Sequence, residues 1–380
     1  MNLHSKLPEV GPSIFSVMSR MSYQHDAINL SQGYPNFETD PKLIALVNDA
    51  MKTGLNFYAP MQGIVSLREA ISEKVESMYH RNYNPDSEIT VTAGATQAIF
   101  TAIATIINPG DEVIIFEPAY DSYKPSVEVF GGKVVPIALK GNDFKIDWQQ
   151  VKDALTERTR LIMINTPHNP SGSVWQDEDY KHLSQIVKDT GIFILSDEVY
   201  ESIVFDGLPY KSIAQYPELY DRSFICASFG KLYHNTGWKV GYCLAPKKLM
   251  NEFQKVHQFN VFSVNHPVQV ALSKYMEDPQ SYLHLSDLFQ SKRDLFLSHM
   301  RASRFTFNPC KGTYFQSMSY DQISKEKDEE FAKRLCVKHK ISSIPISVFS
   351  SGKNKRNMLR FCFAKTDETL IRAAKILCTI

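Results

Sequence analysis

The sequence predicts an α/β protein: a mostly parallel central sheet between helices, flanked by a smaller α/β unit built from both termini. Short β-branched runs alternate with longer helical patterns through the middle of the chain, the arrangement of a sheet covered on both faces. With 380 residues, 43% of them apolar, the chain can fill a sizeable core. The character then changes near both ends, where strands shorten and turn residues become frequent.

Taken in order, residues 1–40 read as loop-rich, with Ser31-Gln-Gly-Tyr-Pro-Asn36 as the most turn-prone piece. Strands are predicted at Ile89–Thr92, Val113–Phe116, Val134–Ile137, Leu161–Asn165, Phe193–Ser196 and Phe224–Ala227. Between them, helices are predicted over Thr96–Ile107, Trp148–Leu155 and Glu178–Thr190. Further on come a helix over Ser291–Arg301, strands over Thr313–Met318 and Met358–Phe363, and a closing helix from Asp367. The expected division is a large domain over 41–289, with residues 1–40 and 290–380 joining in the smaller one.

A net charge of +1, from 42 basic and 41 acidic residues, offers no global field for nucleic acid or an anionic membrane. A small molecule or another chain is the expected partner. The six cysteines are scattered without a C-x-x-C pair and read as reduced core residues. The opening Met-Asn-Leu-His-Ser-Lys-Leu-Pro lacks a long apolar run, and no stretch approaches the roughly 18 to 20 apolar residues that span a bilayer. The expectation is a cytoplasmic protein.

Open α/β sheets bind ligands at the carboxyl ends of their strands, and four strand-end turns here carry unusual chemistry. Gly94-Ala95-Thr96 opens a helix with free N–H groups and a hydroxyl, suited to a phosphate or to simple capping. Asn165-Thr-Pro-His-Asn-Pro-Ser-Gly172 holds Asn169 in one orientation by its prolines and glycine. Ser196-Asp-Glu-Val-Tyr200 runs an apolar strand into Asp197, which needs a cationic or proton-donating partner if buried, and brings the Tyr200 hydroxyl nearby. Ala227-Ser-Phe-Gly-Lys231 places a lysine in a small-residue turn, with Ser228 and Lys239 able to reach one anion. A phosphate cradle, a fixed amide, a carboxylate with a phenol and a reactive lysine together match the needs of pyridoxal 5′-phosphate, with no metal implied.

The segments N-x-P-H-N-P-S-G, S-D-E-V-Y and S-F-G-K-x-x-x-x-x-G-W-K-V-G-Y resemble the signature blocks of class I, fold type I pyridoxal-phosphate aminotransferases. The likeness runs from Ile28-Asn-Leu-Ser-Gln-Gly-Tyr-Pro-Asn-Phe37 to Leu359-Arg-Phe-Cys-Phe363. It leans toward the bacterial methionine and kynurenine aminotransferase subgroup at Asn56-Phe-Tyr-Ala-Pro-Met-Gln-Gly63, Val91-Thr-Ala-Gly-Ala-Thr96 and Val256-His-Gln258. The resemblance implies that Lys231 carries the cofactor's aldehyde and moves the substrate's α-proton. It also implies that Asp197 pairs with the ring nitrogen, Asn169 and Tyr200 contact the ring oxygen, and Tyr120 stacks on the ring. Phosphate would be held by Gly94, Ala95, Thr96, Ser228 and Lys239, and by Tyr58 from a neighbouring subunit, which makes the protein a homodimer. Arg360 would clamp the substrate carboxylate with the backbone at Gly33. Many relatives have arginine where this chain has Lys239; the kynurenine-type subgroup uses lysine.

The implied reaction is a ping-pong amino transfer to a 2-oxo acid. Aspartate-specific relatives read the side-chain carboxylate with a second arginine, from the partner subunit, whereas between Val256 and Ala271 this chain has no Lys or Arg. Methionine or an aromatic amino acid is therefore the expected donor, with Phe15, Tyr34, Tyr58, Tyr120 and Phe262 as candidate pocket aromatics. A carbon–sulfur β-lyase acting on cysteine S-conjugates shares the same constellation and stays open as an alternative. A non-catalytic ligand-binding protein on this fold predicts degraded chemistry, and a nicotinamide enzyme predicts a G-x-G-x-x-G after a strand, which is not present.

Overall fold

Alternating side chains of the strand Thr159–Asn165 point to opposite faces, and both faces are apolar: Leu161 and Met163 enter one core, Ile162 and Ile164 the other. The strand Glu112–Glu117 divides the same way, Val113 and Ile115 against Ile114 and Phe116. A strand buried on both sides needs covering on both sides, and the computed structural model, which describes residues 4–351 and 356–380, supplies it.

The central sheet has seven strands, in the order Ile89–Thr92, Gly241–Leu244, Ser223–Ser228, Phe193–Asp197, Thr159–Asn165, Glu112–Glu117, Lys133–Ala138. Gly241–Leu244 runs antiparallel to both its neighbours, and the other pairings are parallel. All six predicted central strands are present within a residue or two of their expected ends. Gly241–Leu244 was not anticipated, because Gly-Tyr-Cys-Leu carries no β-branched residue to mark it.

The helix Ala95–Ile106 packs on the sheet through Ala98, Ile99, Ala102 and Ile103, all buried in the same cluster as Phe224, Cys226 and Cys243. The expected helix over 178–190 is Asp177–Val187; it stops early because Lys188 turns extended and Asp189 takes a left-handed φ of 59°. The helix expected from Ser291 begins earlier and spans Leu285–Met300. The strand expected from Thr313 begins at Phe315, since Thr313 sits at φ 65°.

Residues 4–40 are less loop-like than expected. Ile14–Gln24 is an α-helix whose Ser13 side chain caps Phe15 N, and Met18 and Ser22 are its buried face. The turn-rich residues after it masked an ordinary amphipathic pattern.

The two ends of the chain meet in small sheets. Ile28–Asn29 pairs in parallel with Ile341–Ser342, and Ile344–Pro345, Met358–Cys362 and Phe315–Ser319 form an antiparallel sheet of three. The closing helix is Asp367–Leu377, capped by Thr366. Five of the six cysteines are buried and all are free. Among the described residues no helix is long and apolar enough to cross a membrane.

Candidate active site

The carboxyl ends of Phe193–Asp197, Thr159–Asn165 and Ser223–Ser228 open into one cavity of about 360 Å³. Fourteen of the sixteen residues singled out in the sequence line it: Phe15, Gly33, Tyr34, Gly94, Ala95, Thr96, Tyr120, Asn169, Asp197, Tyr200, Ser228, Lys231, Lys239 and Arg360. Tyr58 does not. It is 78% exposed and packs edge-on against Phe262, 5.4 Å between ring centres. Phe262 is likewise outside the cavity of its own chain.

Lys231 sits at the floor, in the short helix Phe229–Leu232 that follows its strand directly. Its Nζ donates to the Gly33 carbonyl at 3.1 Å, an oxygen that also accepts from the Tyr314 hydroxyl at 2.6 Å. Burial lowers its ammonium to about 8, with the positive charges of Arg360 and Lys239 adding to the effect. A lysine so shifted exchanges a proton near neutral pH, which a surface lysine does not.

Asp197 ends its strand as a buried carboxylate. Oδ2 accepts from the Tyr123 hydroxyl at 2.5 Å and Oδ1 from Val199 N at 3.3 Å. Burial raises its pKa to about 6, against the lowering effect of these two hydrogen bonds. Such a group gains from a cation brought into the cavity.

The loop 165–172 acts as a bracket. Asn165 accepts from Asn169 N at 2.8 Å and donates to the Asp197 carbonyl at 2.9 Å, so the loop is fixed to the end of the neighbouring strand. Asn169 Oδ1 in turn accepts from Arg360 Nη1 at 2.8 Å. Arg360 is 1% exposed, donates through Nη2 to the Ser31 carbonyl at 3.0 Å and lies 3.8 Å above the Phe315 ring centre. Its Nε has no partner among the described residues.

On the opposite wall, Ala95–Ile106 begins without a side-chain cap, leaving its first N–H groups for a ligand. Gly94 precedes it at φ 83°, and a Cβ there would lie 3.4 Å from Lys239 Nζ. The cradle is thus closed by a lysine whose ammonium lies in van der Waals range of the Gly94 position. Ser228 adds a hydroxyl. The parts fit pyridoxal 5′-phosphate: an anion cradle, a buried carboxylate in want of a cation, a lysine of lowered basicity and a buried guanidinium.

Sequence reasoning missed Asn165, Tyr123, Phe315 and Gln32. Asn165 opens the turn 165–172, four residues before Asn169, and Tyr123 lies three residues after Tyr120. Phe315 and Gln32, which donates to the Phe15 carbonyl at 2.9 Å, carried no local signal because their roles arise from distant segments meeting.

Fold and cavity define a fold type I enzyme dependent on pyridoxal 5′-phosphate. Residues 25–377 match the family of class I and II aminotransferases, and the chain belongs to that family. It is an aminotransferase, with amino acids and 2-oxo acids as its small-molecule substrates. It is 46% identical to the methionine aminotransferase of Escherichia coli K12 over 98% of this chain and 96% of that one. Identity to the kynurenine–oxoglutarate transaminase of Dictyostelium discoideum is 31%, over 96% and 93%. Among solved structures, Escherichia coli YbdL, identified as having a methionine aminotransferase function, superposes with a TM-score of 0.97 at 44% identity over all of both chains. The N-succinyldiaminopimelate aminotransferase of Mycobacterium tuberculosis superposes at 0.96, with 30% identity over all of both chains.

Proposed function

We propose that this aminotransferase takes its amino group from methionine or another neutral or aromatic amino acid. The observation that carries this is the cavity's charge. Beyond Lys231 and Lys239, Arg360 is the only cation lining it among the described residues, and Phe15, Tyr34 and Phe315 supply apolar surface nearby. One guanidinium of this chain reads the α-carboxylate, its cavity holds none for a side-chain carboxylate, and residues 256–271, with no Lys or Arg, offer a partner's site none either. The likeness to methionine and kynurenine transaminases supports the same choice.

The bound cofactor supplies the carbonyl that receives the amino group and the ring that takes up electrons as the α-proton leaves. Lys231 Nζ, whose basicity burial lowers, would hold the cofactor through its aldehyde and carry the substrate's α-proton. Asp197 would pair with the ring nitrogen, Asn169 and Tyr200 would hold the ring oxygen, and Tyr120 would line the ring. Gly94, Ala95, Thr96, Ser228 and Lys239 would hold the phosphate. Arg360, immobilised by Asn169, Ser31 and Phe315, orients the substrate carboxylate with the Gly33 backbone.

The working unit is a homodimer, in which the exposed Tyr58 completes the partner's phosphate site, and its compartment is the cytoplasm. The small domain is formed by residues 1–40 and 290–380 around the large one, 41–289, a division supported by the pairing of Ile28–Asn29 with Ile341–Ser342.

The test is an amino-donor panel with a common 2-oxo acid acceptor. Methionine, phenylalanine, tyrosine and kynurenine should exceed aspartate in kcat/KM by at least about tenfold, since an unpaired side-chain carboxylate is costly in this cavity. Equal use of aspartate would defeat the proposal. Pyruvate and ammonia from a cysteine S-conjugate, without transfer from methionine, would establish the β-lyase instead. Lys231→Ala should abolish turnover, and Arg360→Lys, which loses the fork, should raise KM for the amino acid on the order of tenfold or more.

A further inference from the structure

We propose that Tyr123 is a positioning residue for the cofactor, holding the Asp197 carboxylate and the Tyr120 ring in register with one another. The proposal rests on the reading of Asp197 as the partner of the ring nitrogen and adds a residue that acts through it.

Tyr123 is 3% exposed and opens the short helix Tyr123–Glu128. Its N–H donates to the Tyr120 carbonyl at 3.1 Å, and the two rings meet edge-on with centres 5.7 Å apart. Its hydroxyl donates to Asp197 Oδ2 at 2.5 Å, across 74 residues of sequence. One side chain therefore touches both the group expected under the ring nitrogen and the aromatic expected over the ring face.

The direction of this hydrogen bond is fixed by chemistry. An ionised carboxylate only accepts, so the phenol donates. Burial, reinforced by the Asp197 charge, pushes the Tyr123 pKa well above the ordinary tyrosine value, so the proton stays on the phenol. A charge-assisted bond of this kind opposes the raising of Asp197 by burial and occupies one carboxylate oxygen. The other groups facing Asp197 are Lys231, Tyr120, Tyr200, the Cys226 thiol and the Val199 N–H. Among them only Tyr123 donates a side-chain hydrogen bond to the carboxylate in the described residues.

A double-mutant cycle on cofactor affinity tests the assignment. The dissociation constant of pyridoxal 5′-phosphate is measured for the wild type, Tyr123→Phe, Asp197→Asn and the double variant, with circular dichroism as the check on folding. Tyr123→Phe should weaken binding about tenfold, the size expected for one hydrogen bond to a charged group. In the Asp197→Asn background the same change should cost less than about threefold, because the partner charge is gone. An equal loss in both backgrounds, or none in the wild type, overturns the positioning role. Unchanged binding by Asp197→Asn alone would instead overturn the reading of Asp197, and the proposal with it. Tyr123→His, which keeps a ring N–H donor, is the second variant should Phe fail to fold. Binding within about threefold of the wild type is expected, and a loss of about tenfold or more overturns the proposal.

Discussion

At the scale of residues, the cavity holds two groups whose protonation is set against their ordinary preference, and the protein without cofactor should reveal this in its stability. Lys231 falls from 10.5 to about 8 on burial, so between those values the unfolded chain binds the extra proton and stability rises with pH. Lys231→Met, which removes the ammonium and keeps most of the bulk, should therefore be more stable than the wild-type apoprotein. That advantage should be full below about pH 8, shrink through the window and vanish by about 10.5. Asp197 moves the other way: raised from 3.8 to about 6, it makes the folded chain the better proton binder, and stability falls as pH rises through that range. Asp197→Asn should gain over the wild type above about pH 6 and lose the gain as pH falls toward 3.8. Urea midpoints of apoproteins across pH check both, and a pH-independent gap in either case would refute the assigned burial. The ligand-free site is thus held at a cost to the fold, as expected where a bound group is to supply the missing counter-charges.

At the scale of elements, one buried ion pair ties the helix Val65–Tyr79 to the turn that follows the Asp197 strand. Lys74 Nζ lies 2.5 Å from Glu201 Oε1, with Lys74 only 2% exposed, and the hydroxyls of Tyr79 and Tyr242 also donate to Glu201. Removing one partner leaves the other charge buried, so Lys74→Met should destabilise by about 3–5 kcal/mol. Pairing it with Glu201→Leu should recover much of that, which denaturant titration of the three variants will show. No local pattern in the sequence announced this contact, since Lys74 reads as a solvent-facing helical lysine. By contrast the six strands predicted for the central sheet were legible to within a residue or two, because β-branched runs buried in a sheet have few other structures open to them. The helix Ile14–Gln24 and the antiparallel strand Gly241–Leu244 were not, the first hidden by neighbouring turn residues and the second by its lack of a β-branched residue. The site was legible where chemistry sat in a turn after a strand, as with Lys231, Asp197 and Asn169. It was illegible where a side chain serves another across the fold, as Phe315 serves Arg360 and Tyr123 serves Asp197.

At the scale of the whole molecule, the exposed aromatics decide what the chain does in solution. Phe57, Tyr58, Phe259 and Phe262 are 63%, 78%, 87% and 51% exposed, and Tyr58 and Phe262 pack edge-on against each other. Phe57 packs on His266, which links the segment 56–63 to the helix His266–Tyr275. Large apolar rings left in water are the mark of a surface that another chain covers. Tyr58 gives that surface a chemical purpose, because its hydroxyl is expected to serve the phosphate of the opposite site. The wild type should therefore sediment at twice the chain mass at micromolar concentration. Replacing Phe259 and Phe262 together by Glu should yield monomers whose cofactor affinity falls by at least about tenfold, the worth of a charge-assisted hydrogen bond to phosphate. Tyr58→Phe separates the two effects: it should keep the dimer, since the ring remains, and still weaken cofactor binding. A wild-type monomer with full turnover would refute the shared site, because a residue 78% exposed on its own chain cannot otherwise reach a phosphate inside the cavity.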